Sequence, residues 1–68
     1  MALSARNQLP GIIQAIQYDE VVALVVMKVG SQMVESVIAR ATARDLGLKV
    51  GDSVKVVIKS TEVMIQKG

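Results

Sequence analysis

One stretch of the chain, residues 21–29 (VVALVVMKV), is apolar at every position except Lys28. A strand that faces solvent on one side alternates apolar and polar residues, whereas a run that is apolar on both faces indicates a strand covered on both sides. The chain has 68 residues, and a domain of this size buries only about 60% of the surface of its unfolded chain. The second cover is therefore either the rest of the monomer or another copy of the chain, and this stretch alone does not decide between them.

The composition favours burial between subunits. Hydrophobic residues make up 51% of the chain and Tyr18 is its single aromatic residue, so the predicted core is aliphatic. This apolar content is large for one small domain, which suggests a homo-oligomer. The absence of Cys and His removes disulfides, thiolate metal sites and the commonest general base. The net charge of +2 is too small to indicate nucleic-acid binding.

The chain lacks the sequence features of an exported or membrane-spanning protein. Arg6 near the N-terminus is not followed by the apolar segment of a signal peptide. The longest apolar run, residues 21–27, is much shorter than the ~20 residues needed to cross a bilayer. We therefore expect one domain over residues 1–68, located in the cytoplasm and without a membrane partner.

Apolar runs separated by turn residues predict five short strands. The predicted strands cover residues 11–18, 21–29, 33–40, 54–58 and 63–65. The fourth is the clearest, because Val54, Val56 and Ile58 recur with the two-residue period of a strand. Neither face of the third is cleanly apolar, which is typical of a strand near an edge or a subunit contact.

Residues 42–47 (TARDLG) predict a short helix between the third and fourth strands. Thr42 is a good N-cap, and Gly47 supplies a left-handed stop. Leu46 and Leu48 are expected to fill the core. Five strands with a helix in this position indicate an all-β protein, a small closed or nearly closed barrel of the OB-fold type.

The residue types exclude the common kinds of catalysis but permit anion binding. No nucleophile has a His or Cys partner, and the six acidic residues are scattered, so we do not expect an enzyme. The cationic residues with hydroxyl neighbours are Arg6 with Ser4, Arg44 with Thr42, and Lys59 with Ser60 and Thr61. If the first and fourth strands are antiparallel, Arg6 and Lys59 lie at the same end of the sheet. The alternative is that both are solvated charges at strand ends.

Three segments resemble a known family. SARNQLPGII at the start, a short T-x-x-x-LGL helix and VIKSTEVMI near the end are similar to the Mop family, the molbindins. The same module occurs as the TOBE-type domain of molybdate-responsive regulators and molybdate transporter ATPases. The resemblance covers essentially the whole chain. It implies an OB-like barrel that assembles by exchanging strands, a homohexamer, and molybdate or tungstate bound between subunits.

The resemblance also implies the residues that bind the oxyanion. These are Ser4, Ala5, Arg6, Thr42, Lys59 and Ser60. Ala5 would act through its backbone, and Thr42 stands where relatives often have Ser, which donates an equivalent hydroxyl hydrogen bond. Because relatives also have Ala at the position of Ser60, its N–H is a firmer contact than its hydroxyl. Molybdenum would be bound as molybdate, with no protein atom as a direct metal ligand and no other cofactor.

Two alternative interpretations involve nucleic acid. ARDLGLKVGDSVKVVI resembles the helix–turn–GD–strand segment of swapped-hairpin transcription factors of the AbrB or antitoxin type, although the strands upstream carry few of the cations that those proteins use. A generic OB nucleic-acid module stacks bases on aromatic residues, and this chain has only Tyr18. The sequence therefore favours an intracellular molybdate- and tungstate-binding protein for storage or homeostasis, without a nucleic-acid partner.

Overall fold

The computed structural model describes residues 6–68, which form an antiparallel sheet of four strands with one short α-helix. In chain order the elements are β1 (Asn7–Tyr18), β2 (Val22–Val29), β3 (Gln32–Ala39), α1 (Arg40–Asp45), β4 (Ser53–Ile58) and a 3-10 helix (Ser60–Glu62). The strand order across the sheet is β3-β2-β1-β4. The all-β class and the helix between the third and fourth strands are confirmed.

The core lies on one face of the sheet, to which the strands contribute alternate residues. Its buried centre consists of Ile13, Val25, Met27 and Val56. Partly buried apolar side chains pack around this centre: Ile16, Val29, Val34, Ile38, Leu48, Val54 and Ile58. Full burial of one such side chain stabilises the fold by about 1.5–3 kcal/mol. The predicted aliphatic core is therefore confirmed.

β1 begins at Asn7 and runs through Pro10, which the predicted strand did not include. The N–H of Ile13 donates to the carbonyl oxygen of Asp52 at 3.0 Å, so this residue directs its backbone groups toward the β4 side. Backbone direction alternates along a strand, and the nitrogen of Pro10 therefore faces the β2 side. The pairing of β1 with β2 starts only at Ile12, so the missing N–H of proline costs no sheet hydrogen bond.

β2 has one buried face and one partly exposed face. Ala23, Val25 and Met27 are buried in the core. Leu24 and Val26 point to the other face and are only partly buried. Within residues 6–68 of one protomer, the second cover predicted for this strand is missing.

β3 lies at an edge of the sheet, as predicted, because it pairs only with β2 among the described strands. On its outer face, Met33 and Val37 are 56% and 66% exposed. These side chains extend the apolar outer face of β2. One protomer therefore presents a sheet face on which apolar residues remain in contact with solvent.

α1 begins two residues earlier than predicted. Ala39 occupies the N-cap position and makes no side-chain capping hydrogen bond, so the prediction of Thr42 as the N-cap is wrong. The N–H of Arg40 donates to the carbonyl oxygen of Val21 at 2.8 Å, which closes the pairing of β3 with the start of β2. The chain turns into the helix directly after this bond. Thr42 consequently lies within the first turn, with an exposed side chain.

The predicted glycine stop lies just after α1, one residue beyond the C-cap Leu46. Gly47 has a φ of 64°, and the N–H groups of Gly47 and Leu48 donate to the carbonyl oxygens of Arg44 and Ala43 at 3.0 and 3.2 Å. This pair of hydrogen bonds is a Schellman motif. Leu48 packs against the core, as expected. The same prediction for Leu46 is wrong, since its side chain is 65% exposed and the buried residue of the helix is Ala43.

The predicted fifth strand does not form within the protomer. After the 3-10 helix, residues 63–65 have no regular structure. The side chains of Val63, Met64 and Ile65 are 49%, 93% and 95% exposed. A strand needs a neighbouring edge to satisfy its backbone N–H and C=O groups, and no edge of the described sheet pairs with this segment. Residues 6–68 of one chain therefore form a four-stranded sheet in place of the five-stranded barrel.

Candidate oxyanion-binding site

Arg6 and Lys59 lie at the same end of the sheet. β1 and β4 are antiparallel, and their last pair joins Asn7 to Ile58. Arg6 immediately precedes this pair and Lys59 immediately follows it. Directly opposed residues of antiparallel strands have Cβ atoms about 4.5–5.5 Å apart, so the backbone brings two long cationic side chains within reach of one small anion. The antiparallel arrangement on which their convergence depends is confirmed.

The side chains at this end are open to solvent in one protomer. Arg6, Lys59 and Ser60 are all exposed. A guanidinium offers five N–H donors, an ammonium three, and a hydroxyl one. Ser4 and Ala5, the other residues predicted for this end, lie outside the described residues. The arrangement can therefore donate several hydrogen bonds, two of its groups being positively charged.

Thr42 stands beside the opposite end of β1. α1 follows β3, whose last residue Ala39 pairs with Val22 at the start of β2, so the helix stands beside the turn between β1 and β2. Arg6 precedes the opposite end of β1, which has 12 residues. Within one protomer, Thr42 therefore stands beside one end of β1, and Arg6 with Lys59 stands at the other.

α1 contacts the last residue of β1 through an aromatic ring. The guanidinium carbons of Arg40 and Arg44 lie 6.0 and 5.8 Å from the centroid of the Tyr18 ring. Nη1 of Arg40 also donates to the backbone carbonyl oxygen of Asp19 at 3.3 Å. From the sequence, Arg44 is expected only as a cationic neighbour of Thr42, and these contacts with the ring are not predicted. The signal for them is the spacing of two arginines four residues apart, which places both on one helix face.

An apolar groove with a volume of about 380 Å³ opens between β3 and β4. Most of its lining residues are apolar, and Ser36 and Lys55 are the polar ones: Ile13, Val25, Met27, Ser36, Ile38, Leu46, Leu48, Val54, Lys55, Val56 and Val57. β3 and β4 are the two edge strands of the described sheet. The groove is therefore bounded by a strand edge on each side, and the core is accessible through it.

The site residues of the described part of the chain suit an anion. Residues 6–68 contain no group of three or more Asp or Glu side chains that could hold a metal ion. No helix in the same part is long and apolar enough to cross a membrane. The donors near the end of β4 are cationic groups and a hydroxyl, and such donors form charge-assisted hydrogen bonds with oxyanions.

Comparisons with known proteins agree with these features. The chain matches the TOBE domain family over residues 3–65. It is 46% identical over 66 residues to molybdenum-pterin-binding protein 3 of Clostridium pasteurianum, which covers 96% of this chain and 97% of that relative. It is 36% identical over 66 residues to a probable molybdenum-pterin-binding protein of Haemophilus influenzae, with 96% of each protein covered.

Two solved structures share the fold over nearly the whole chain. A molybdate binding protein from Sporomusa ovata has a TM-score of 0.94 and 31% identity, covering 98% of this chain and 100% of its own. MopII from Clostridium pasteurianum has a TM-score of 0.89 and 37% identity, covering 97% of this chain and 100% of its own. The chain therefore belongs to the TOBE domain family. Within that family its relatives are the Mop proteins, the molbindins, as the sequence resemblance predicts.

Proposed function

We propose that this chain binds molybdate, and also tungstate, as an intact oxyanion between the subunits of a homohexamer, and that it stores or buffers the anion in the cytoplasm. The relatives are described as molybdate-binding or molybdenum-pterin-binding proteins. The observation that best supports the same ligand here is the pairing of Asn7 with Ile58, which sets Arg6 beside Lys59.

The proposed donors match a tetrahedral dianion. Molybdate accepts hydrogen bonds on all four oxygens, and Arg6 and Lys59 would supply charge-assisted bonds, which are roughly twice as strong as neutral ones. The hydroxyls of Ser4 and Ser60 and the backbone of Ala5 would fill the remaining directions without adding positive charge. Binding of this kind needs no redox or acid–base side chain.

The separation of Thr42 from Arg6 supports a site between subunits. We infer that a site using both residues takes Thr42 from a different copy of the chain, since the two residues stand at opposite ends of β1 within one protomer. Both side chains are exposed in the single chain and so are accessible to another copy. Burial between subunits would also exclude water, which strengthens each hydrogen bond to the anion.

The exposed C-terminal segment and the open groove support assembly by strand exchange. Residues 63–65 carry three apolar side chains with little cover, and the groove between β3 and β4 is apolar and bounded by two strand edges. Residues 63–65 of a second copy, docked there as a fifth strand, would satisfy their own backbone groups and cover the core of the host. Each protomer would then complete the barrel of another.

Native mass spectrometry of the full chain with and without molybdate tests the proposal. We expect a hexamer whose mass rises by whole molybdate ions, and no comparable gain with sulfate at the same concentration and ionic strength. Arg6→Gln is the matched variant, which should form the same hexamer and retain fewer ions. A folded monomer, or an equal gain with sulfate, would contradict a specific site between subunits.

A further inference from the structure

The rotation of α1 about its own axis determines where the side chain of Thr42 points. Successive helix positions are about 100° apart, so Arg40 and Arg44 share one face. Thr42, midway between them in sequence, lies on nearly the opposite face. The structure agrees with this geometry, since both guanidinium groups lie near Tyr18 while the Thr42 side chain is exposed.

Backbone hydrogen bonds, a buried methyl group and contacts with an aromatic ring together fix this rotation. The helix has six residues and no side-chain cap, and its buried residue is Ala43, whose methyl group is small. The other side-chain contacts described for α1 run to the last residue of β1 and the turn after it: the two arginines with the Tyr18 ring, and Arg40 with the carbonyl oxygen of Asp19. The ring thus contacts two helix residues that are one turn apart.

We propose that Tyr18 is a positioning residue of the oxyanion site, because its ring orients α1 through Arg40 and Arg44 so that Thr42 faces a neighbouring subunit. This inference rests on the proposed function, in which Thr42 contacts the oxyanion. The Tyr18 side chain is 41% exposed, and cation–π contacts at exposed sites contribute little to stability. The role of the ring is therefore orientation of the helix, and its loss should affect ligand affinity more than folding.

A double-mutant cycle on the full-length protein, measured by calorimetric titration with molybdate, tests this inference. Tyr18→Leu should weaken binding by about threefold to tenfold, because two exposed cation–π contacts are lost. Tyr18→Phe retains the ring and should bind within about twofold of the wild type. In a Thr42→Ala background, Tyr18→Leu should cause no further loss, because the residue through which Tyr18 acts has been removed.

Two outcomes would overturn the inference alone: additive losses from Tyr18→Leu and Thr42→Ala, or equal losses from Tyr18→Phe and Tyr18→Leu. A wild-type protein that does not bind molybdate would overturn both the proposed function and this inference. The titration of the wild type therefore distinguishes failure of the proposed function from failure of the inference about Tyr18. If Tyr18→Leu does not assemble, Arg44→Gln takes its place in the cycle, because it removes one of the two ring contacts by changing an exposed side chain. The loss of molybdate affinity that it causes should likewise disappear in the Thr42→Ala background. Lys49→Gln, which removes the same charge just beyond the helix, should keep wild-type affinity.

Discussion

Arg6 and Lys59 differ from the other cationic residues of the chain in having each other as neighbours across a strand pair. We predict that Arg6→Ala and Lys59→Ala each weaken molybdate binding by about 1.5–3 kcal/mol, the usual cost of losing a hydrogen bond to a charged group. Both side chains are exposed and outside the core, so the fold should be intact. Calorimetric titration measures the loss.

Lys49 supplies the control for this prediction. It is an exposed cation in the turn after α1, and its backbone N–H donates to the Oδ2 atom of Asp52. Because a substitution leaves the backbone bond in place, Lys49→Ala should change neither the turn nor molybdate affinity. Equal losses from all three alanine variants would indicate diffuse attraction by a positive surface.

Gly11 is a residue whose replacement should test packing independently of binding. A Cβ atom built there would lie 3.3 Å from methyl carbons of both Val29 and Val56 and 3.4 Å from the carbonyl oxygen of Lys28. The added methyl group is therefore tighter than ordinary contact and requires its neighbours to shift. We predict that Gly11→Ala loses about 1–3 kcal/mol of stability, measured by thermal or denaturant unfolding. Gln17→Ala, an exposed change in the same strand, should stay within about 0.5 kcal/mol. A Gly11→Ala variant as stable as wild type would show that β1 moves to make room.

At the scale of elements, the sequence predicted what depends on local pattern. The alternation in β4 and the glycine that ends α1 were both recognisable from nearby residues. The start of β1 was not recognisable in this way. Pro10 is acceptable in the strand because the pairing of β1 with β2 does not extend to its nitrogen. The start of α1 was missed for a similar reason: the bond from Arg40 to Val21 joins residues far apart in sequence. The local sequence preference for helix-capping residues cannot predict a contact between residues so far apart.

The C-terminal segment gives the prediction that belongs to this scale. If residues 63–65 dock as a fifth strand in the groove of another copy, Ile65→Asp places a carboxylate against apolar side chains, where an unpaired charge is costly. The variant should form smaller species than the wild type in light scattering coupled to size-exclusion chromatography. Gln66→Asp adds the same charge at the next position, which faces the other side of a strand, and should assemble normally. Normal assembly of Ile65→Asp would exclude insertion of this segment.

At the scale of the whole molecule, the sequence predicts an assembly from its apolar content, but it does not predict the geometry of the site. The outer-face residues of β2 are only partly covered within residues 6–68 of one protomer, and this agrees with the predicted assembly. The site residues are different, since Thr42 and Arg6 lie at opposite ends of β1. Which copy supplies each residue depends on subunit arrangement, and periodicity along one chain carries no information about that. Only the family resemblance joins these residues into one site.

Ligand binding should appear in the stability of the whole assembly. An anion held between subunits binds the folded oligomer and not the unfolded chain, so ligand at about 100 times its dissociation constant stabilises each site by about 2.7 kcal/mol. We predict that molybdate and tungstate raise the melting temperature. Sulfate should not, because it is smaller and does not span donors spaced for the larger ions. Phosphate should also fail, because it carries a proton near neutral pH that would face a site made of donors.

The melts are compared at fixed ionic strength, so that general screening of surface charge is the same for every anion. Arg6→Gln supplies the internal control, since it should lose most of the shift with molybdate while melting normally without ligand. An equal rise in melting temperature with sulfate would indicate nonspecific attraction to a cationic surface and would contradict a specific molybdate site.

Tyr18 is the sole aromatic residue of the chain, and the guanidinium groups of Arg40 and Arg44 lie close to its ring. The near-ultraviolet absorption, circular dichroism and intrinsic fluorescence of the protein therefore arise from this one side chain beside α1. Any movement of the helix changes the surroundings of the only chromophore, without background from tryptophan or a second tyrosine. The protein thus contains its own optical reporter of helix docking, which can be followed during assembly or an anion titration without a label.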